Sequence, residues 1–144
     1  MSPSFPDLFA GIGPGRVVVE VTEHAPVDDY AILHERLDEL TSAGIRLAVD
    51  DAGAGYASLR HILKLHPDVI KLDISLTRNI DKEPLQRALA AALVTFAREL
   101  GASMIAEGVE RPEEVVVLTA LGVLYAQGYH FAQPTIDLRT LFPA

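Results

Sequence analysis

The sequence predicts an α/β fold built on a parallel sheet. Short apolar runs alternate with longer stretches of helical periodicity, the pattern of βα units. The runs are rich in valine and isoleucine and continuously apolar, as strands covered on both faces are. Five runs, at 17–23, 47–51, 69–73, 104–110 and 124–127, end in an acid, an amide or a lysine. In a β/α barrel the C-terminal strand ends share one mouth, so these polar groups point to a single site.

Residues 1–15 hold Pro3, Pro6, Pro14 and three glycines and read as an irregular segment with at most one helical turn. Residues 16–22 (RVVVEVT) are dominated by β-branched side chains and form the first strand. Over 27–43, Tyr30, Leu33, Leu37 and Leu40 recur at helical spacing, with Asp28 and Asp29 suited to the first turn and Gly44 to the end. Residues 45–49 give the second strand and the glycine-rich 51–55 a mobile loop. A short helix over 56–65 stops before Pro67. The third strand is 69–72. The longest helix is 83–100, with Pro84 admissible in its first turn and Gly101 closing it. A fourth strand at 103–106, a helix at 112–121 ended by Gly122 and a short fifth strand at 123–126 complete the pattern. After Phe131 the chain reads as irregular, and 135–144 is a tail.

At 144 residues and 49% hydrophobic content the chain has room for one domain with an ample core. A net charge of −8 argues against a basic nucleic-acid groove. Cysteine is absent, which excludes a disulfide framework and a thiolate metal site. No apolar run approaches the roughly 20 residues of a membrane span, and no charged-then-apolar leader opens the chain. The expectation is a soluble, cytoplasmic domain.

Glu20, Asp50, Asp51 and Glu107, gathered at one mouth, repel one another unless a cation compensates them. Oxygen ligands alone favour magnesium or manganese over zinc. Adjacent aspartates at one strand end let the first bridge two ions while the second binds one, as a two-metal phosphodiester hydrolase needs. Lys71 adds a cation able to sit beside a metal-bound water and a phosphate oxygen. A lysine within an apolar strand needs a partner, and Asp73 is a candidate. Glu110, followed by Arg111-Pro112, also reads as a helix start. The five histidines show no ligand spacing and read as surface or core residues.

EVTE at Glu20–Glu23, DDAGAGYASL at Asp50–Leu59, IKLD at Ile70–Asp73, AEGVE at Ala106–Glu110 and QGYHFAQP at Gln127–Pro134 together resemble the EAL-domain family of cyclic-di-GMP phosphodiesterases. The resemblance covers 16–134, with the five motifs in order and in register. It implies a β/α barrel that opens cyclic di-GMP to linear pGpG with Mg²⁺ or Mn²⁺. By motif position it implies that Glu20 and Asp50 bind one metal, that Asp50 bridges to a second held by Asp51, and that Glu107 completes the second ion's surroundings. It further implies that Lys71 acts on the nucleophilic water, Asp73 supports Lys71, Glu23 anchors the loop after Asp51, and Gln127 contacts the phosphate or its water. Pro134 falls in the motif that borders a guanine.

The sequence departs from the family in two places. It has no E-A-L or E-V-L triplet, and its only asparagine, Asn79, follows the lysine motif instead of preceding EVTE. Two family metal ligands are therefore missing, and Ser2-Pro3 marks a chain starting just beyond the asparagine, the C-terminal part of an EAL domain. Five strands cannot close the eight-stranded barrel, so the fold expected is a partial TIM-type barrel with two open sheet edges. Such edges invite pairing with a second copy or a partner chain. In the loop after Asp51, Ala52 and Ala54 stand where the family commonly has phenylalanine and threonine.

Two functions follow from the residues and the resemblance. One is the family's phosphodiester hydrolysis, expected to be lost in this chain alone. The other is a non-catalytic module that binds cyclic di-GMP or a protein partner. Retention of Glu20, Asp50, Asp51, Lys71, Glu107 and Gln127 favours descent from an enzyme, because a scaffold has no physical need for so many convergent acids. An unrelated magnesium-dependent β/α enzyme is a third reading, which the five-motif register disfavours.

Overall fold

The structure is a computed structural model that describes residues 11–13, 15–22 and 30–134. Most of the expected irregular segment 1–15, the tail 135–144 and the helix-start acids Asp28 and Asp29 lie outside the described residues. Ten elements alternate along the chain: β1 (Val18–Val21), α1 (Tyr30–Ser42), β2 (Arg46–Ala52), α2 (Tyr56–Leu65), β3 (Val69–Leu72), α3 (Ile74–Thr77), α4 (Pro84–Leu100), β4 (Ser103–Ala106), α5 (Pro112–Leu121) and β5 (Tyr125–Ala126). The five strands form one sheet in the order β1-β2-β3-β4-β5, every neighbouring pair parallel.

Sequence order and spatial order coincide, and right-handed crossovers then place all the helices on one side. This is the wall of a β/α barrel, not a doubly wound sheet. On the helix side Val49, Ile70, Leu72, Met104 and Ala106 pack with Ile62, Ala90, Leu93, Val94, Ala97 and Leu118 in the main core. Burial of this face stabilises the sheet by roughly 25 cal/mol per Å² of apolar surface removed from water. The alternate residues, among them Glu20, Ala48, Lys71, Ile105 and Gln127, line a cavity of about 240 Å³ on the opposite, concave face. Period-two alternation in each strand thus separates core from site.

Two differences from the sequence expectation bear on the site. β2 runs on through Asp50 into Asp51 and Ala52, the first two residues of the expected loop 51–55. Its pairing with β3 shifts register between Val49 and Ala52, and Asp51 adopts a left-handed φ of 59°. The second is α3, a single turn with no apolar periodicity to announce it. Asp73 is its N-cap, with Oδ1 accepting from the Ser75 amide at 2.8 Å. Among the described residues no helix is long and apolar enough to cross a membrane.

Candidate metal and phosphate site

Glu20 on β1, Asp50 and Asp51 on β2, Lys71 on β3, Glu107 just after β4 and Gln127 just after β5 all reach the same rim of the sheet. Lys71 sits at the centre. Its ammonium lies 2.7 Å from a Glu107 carboxylate oxygen, 3.2 Å from Glu20 and 3.4 Å from Asp50. Its side chain is only 9% exposed, so an isolated charge here would be costly. Burial opposes the charge, but the hydrogen bond and attraction of Glu107, followed by Glu20 and Asp50, outweigh it and hold the Lys71 pKa well above its ordinary value. As an ammonium Lys71 is a hydrogen-bond donor to the acids around it. For Glu107, burial pushes the carboxyl up; Lys71 opposes that shift and nearby Asp50 reinforces it.

Consecutive residues of a regular strand point to opposite faces, so Asp50 and Asp51 could not both serve one mouth without a break. The register shift and left-handed Asp51 supply that break. The Asp51 amide donates to Asp50 Oδ1 at 2.9 Å, fixing the pair locally. As a result Asp50, Asp51 and Glu107 each present a carboxylate oxygen within 4.8 Å of one another. Three hard, anionic oxygen donors at this spacing fit a divalent cation of the magnesium or manganese type. Glu20 joins the group through Lys71, and Gln127 donates from Nε2 to Glu107 at 2.5 Å.

Asp73 is not among the ion-pair partners of Lys71. Its carboxylate caps α3, which lies against both acid-bearing loops. A Cβ on Gly108 would fall inside the Ile74 side chain, and one on Gly53 inside Leu76. Both glycines also have left-handed φ, 64° and 101°, so backbone approach and conformation both demand glycine. Thr77, fully buried, donates its hydroxyl to the Glu107 carbonyl. Glu23 lies outside the described residues.

Pro134 lies at one side of a second cavity of about 600 Å³ that also meets Gln127, Gly128, Tyr129, Arg78 and Glu110. Arg78 and Glu110 form an ion pair across it at 2.5 Å. Sequence reasoning did not single out Arg78, nor Glu114, which is 1% exposed and accepts backbone hydrogen bonds from two loops. The one available signal was Glu114 standing three residues after Arg111 at a helix start, the spacing of half a capping box.

Comparison with known proteins gives a consistent result. The EAL domain family profile matches residues 1–134. The cyclic di-GMP phosphodiesterase RocR of Pseudomonas aeruginosa is 39% identical over 121 residues, 84% of this chain and 31% of RocR. The probable cyclic di-GMP phosphodiesterase PdeG of Escherichia coli is 36% identical over 124 residues, 85% of this chain and 24% of PdeG. Klebsiella pneumoniae BlrP1, solved in complexes of manganese or calcium with cyclic di-GMP, superposes with TM-scores of 0.79 and 0.78. Its sequence identity is 38%, over 88% of this chain and 32% of BlrP1. The chain thus spans a third or less of each of these proteins.

Proposed function

The chain belongs to the EAL domain family, and from that premise we propose that it carries most of the site of a metal-dependent cyclic-di-GMP phosphodiesterase. The observation that supports this best is the convergence of Asp50, Asp51 and Glu107 beside a buried Lys71. In the proposed reaction water attacks one phosphorus, the bond from that phosphorus to a ribose 3′ oxygen breaks, and cyclic di-GMP opens to linear pGpG. Asp50, Asp51 and Glu107, with Glu20 beside them, would hold Mg²⁺ or Mn²⁺. A divalent ion bound there supplies Lewis acidity and a water acidified toward hydroxide.

The chain's own groups divide the remaining work. Lys71, an ammonium among these acids, holds a phosphate oxygen, offsets the charge that grows on it and acts on the nucleophilic water beside it. Gln127 orients Glu107 and faces the same oxygens. The cavity at Pro134 and Tyr129 takes a guanine base, and Glu23 and Asp73 act on the loops that surround the acids. Cyclic di-GMP is a nucleotide second messenger, and action on it would be a cytoplasmic activity.

A second reading rests on the same residues, because Asp50, Asp51, Glu107 and Lys71 can hold a cation and a phosphate without turnover. On that reading the site binds cyclic di-GMP without cleaving it. Within either reading, the exposed β1 and β5 edges are covered by a second copy or another chain, which light scattering tests: a stable monomer at micromolar concentration removes that part. Chromatographic detection of pGpG with Mn²⁺, beside a Glu20→Ala control, decides between the readings. Turnover abolished by the substitution supports the phosphodiesterase; binding without turnover supports the receptor.

A further inference from the structure

We propose that Glu114 is a positioning residue that ties together the two loops walling the 600 Å³ cavity. Its side chain is 1% exposed and is not one of the acids gathered for a cation. A buried carboxylate is tolerated only when its oxygens are saturated with donors, and here the donors come from two separate loops. Oε1 accepts from the Asn79 amide at 2.8 Å. Oε2 accepts from the amides of Glu110 at 2.9 Å and Arg111 at 3.1 Å. The Arg111 guanidinium adds bonds to Oε1 at 3.3 Å and also pairs with Asp81, on the first loop.

The two loops each contribute one charged wall of the cavity. Arg78 immediately precedes Asn79, and Glu110 is itself one of the amides that Glu114 holds. The Arg78–Glu110 pair is about half exposed on both sides, and an exposed pair alone is worth too little to fix two loops. The buried carboxylate behind them does so. Asn79 sits at a left-handed φ of 60°, which aims its amide at Oε1. Glu114 thus acts on the cavity through the backbone, behind residues that meet the ligand.

The ligand consequence rests on the reading that this cavity takes a guanine base. The test is Glu114→Gln in the full chain, read by amide hydrogen exchange and by titration with cyclic di-GMP in Ca²⁺. A Gln side chain keeps one acceptor oxygen for Glu110 and Arg111 but turns an NH₂ toward Asn79. The expected result is unchanged protection at Glu110 and Arg111, lost protection at Asn79, and about tenfold weaker cyclic di-GMP binding, the scale of one charge-assisted hydrogen bond. A purely helix-capping role would leave Asn79 and the affinity unmoved, and that result overturns the proposal. If the unsubstituted chain does not bind cyclic di-GMP, the base-site reading fails, while exchange at Asn79 still decides the role of Glu114. Should the Gln variant not fold, Glu114→Asp, which keeps the charge but falls short of Asn79, carries the same expectation.

Discussion

Replacing Lys71 with methionine keeps the buried stem and deletes the charge, so it isolates what the ammonium does in metal-free protein. At 2.7–3.4 Å from three carboxylates, each gross attraction is about 5–6 kcal/mol at an effective dielectric of about 20. Desolvation of the lysine cancels much of this. Glu20, 46% exposed, is further screened, whereas Asp50 and Glu107 are each only 17% exposed. Removing one partner from a buried cluster costs roughly 3–5 kcal/mol, and the partial exposure here places Lys71→Met near the lower end. At about 2–4 °C per kcal/mol for a chain of this size, Tm in EDTA falls by roughly 6–12 °C. Saturating Mn²⁺ should recover most of the loss, because an ion at Asp50, Asp51 and Glu107 compensates the same acids. The sign with pH follows from the raised pKa. The ammonium's stabilisation is complete below lysine's ordinary value and disappears as pH rises through the raised one, so parent and variant converge in strong alkali. Thermal unfolding followed by circular dichroism measures all three. An unchanged Tm in EDTA, or a gap that widens with Mn²⁺, refutes the reasoning.

Three further outcomes are expected. Glu107, raised by burial, titrates above its ordinary value of 4.5 in metal-free protein. Its contribution to stability is complete below that value and is lost as pH rises through the raised one; Mn²⁺ replaced by diamagnetic Mg²⁺ in carbon NMR should draw the titration down. Gly108→Ala forces a left-handed alanine into Ile74 and should cost roughly 1–3 kcal/mol. A denaturation midpoint that does not move, with no relief from a second Ile74→Ala change, would discount the close approach. Asp73→Ala removes the α3 cap, costs about 1 kcal/mol and weakens Mg²⁺ binding through Thr77 and the Glu107 carbonyl, which calorimetric titration reads directly.

The strands and long helices were legible because their signals are local. The valine run before Glu20 and the leucines of α1 state their periods outright, and Pro84, Gly101 and Gly122 fall where helix ends require them. The site's acids were legible for another reason: charge at the end of an apolar strand has little structural use. Asp51 was placed in a loop because composition cannot distinguish a glycine-rich loop from a strand continuing through a left-handed break. α3 was missed because four residues hold barely one helical period. Glu114 reads as an ordinary exposed first-turn acid, and its burial arises only when the loop carrying Asn79 folds over it. The sequence pairs Asp73 with Lys71 because strand alternation puts residues two apart on one face, but β3 ends at Leu72 and the chain turns into α3, where the Asp73 carboxylate takes the Ser75 amide instead.

Because each strand pairs with the next one in the chain, the sheet can grow one strand at a time, each step closing a single helical crossover such as that from Val18 to Arg46. The site is then delivered in the order Glu20, Asp50, Asp51, Lys71, Glu107, Gln127. Acids accumulate over β1 and β2, the lysine arrives on β3 and neutralises part of them, and only then does the end of β4 bring Glu107. The positive charge is translated between the β2 aspartates and Glu107 and also lies at the middle of the cluster, so intermediates that contain β2 and β4 carry less like-charge repulsion than a lysine placed after them would leave.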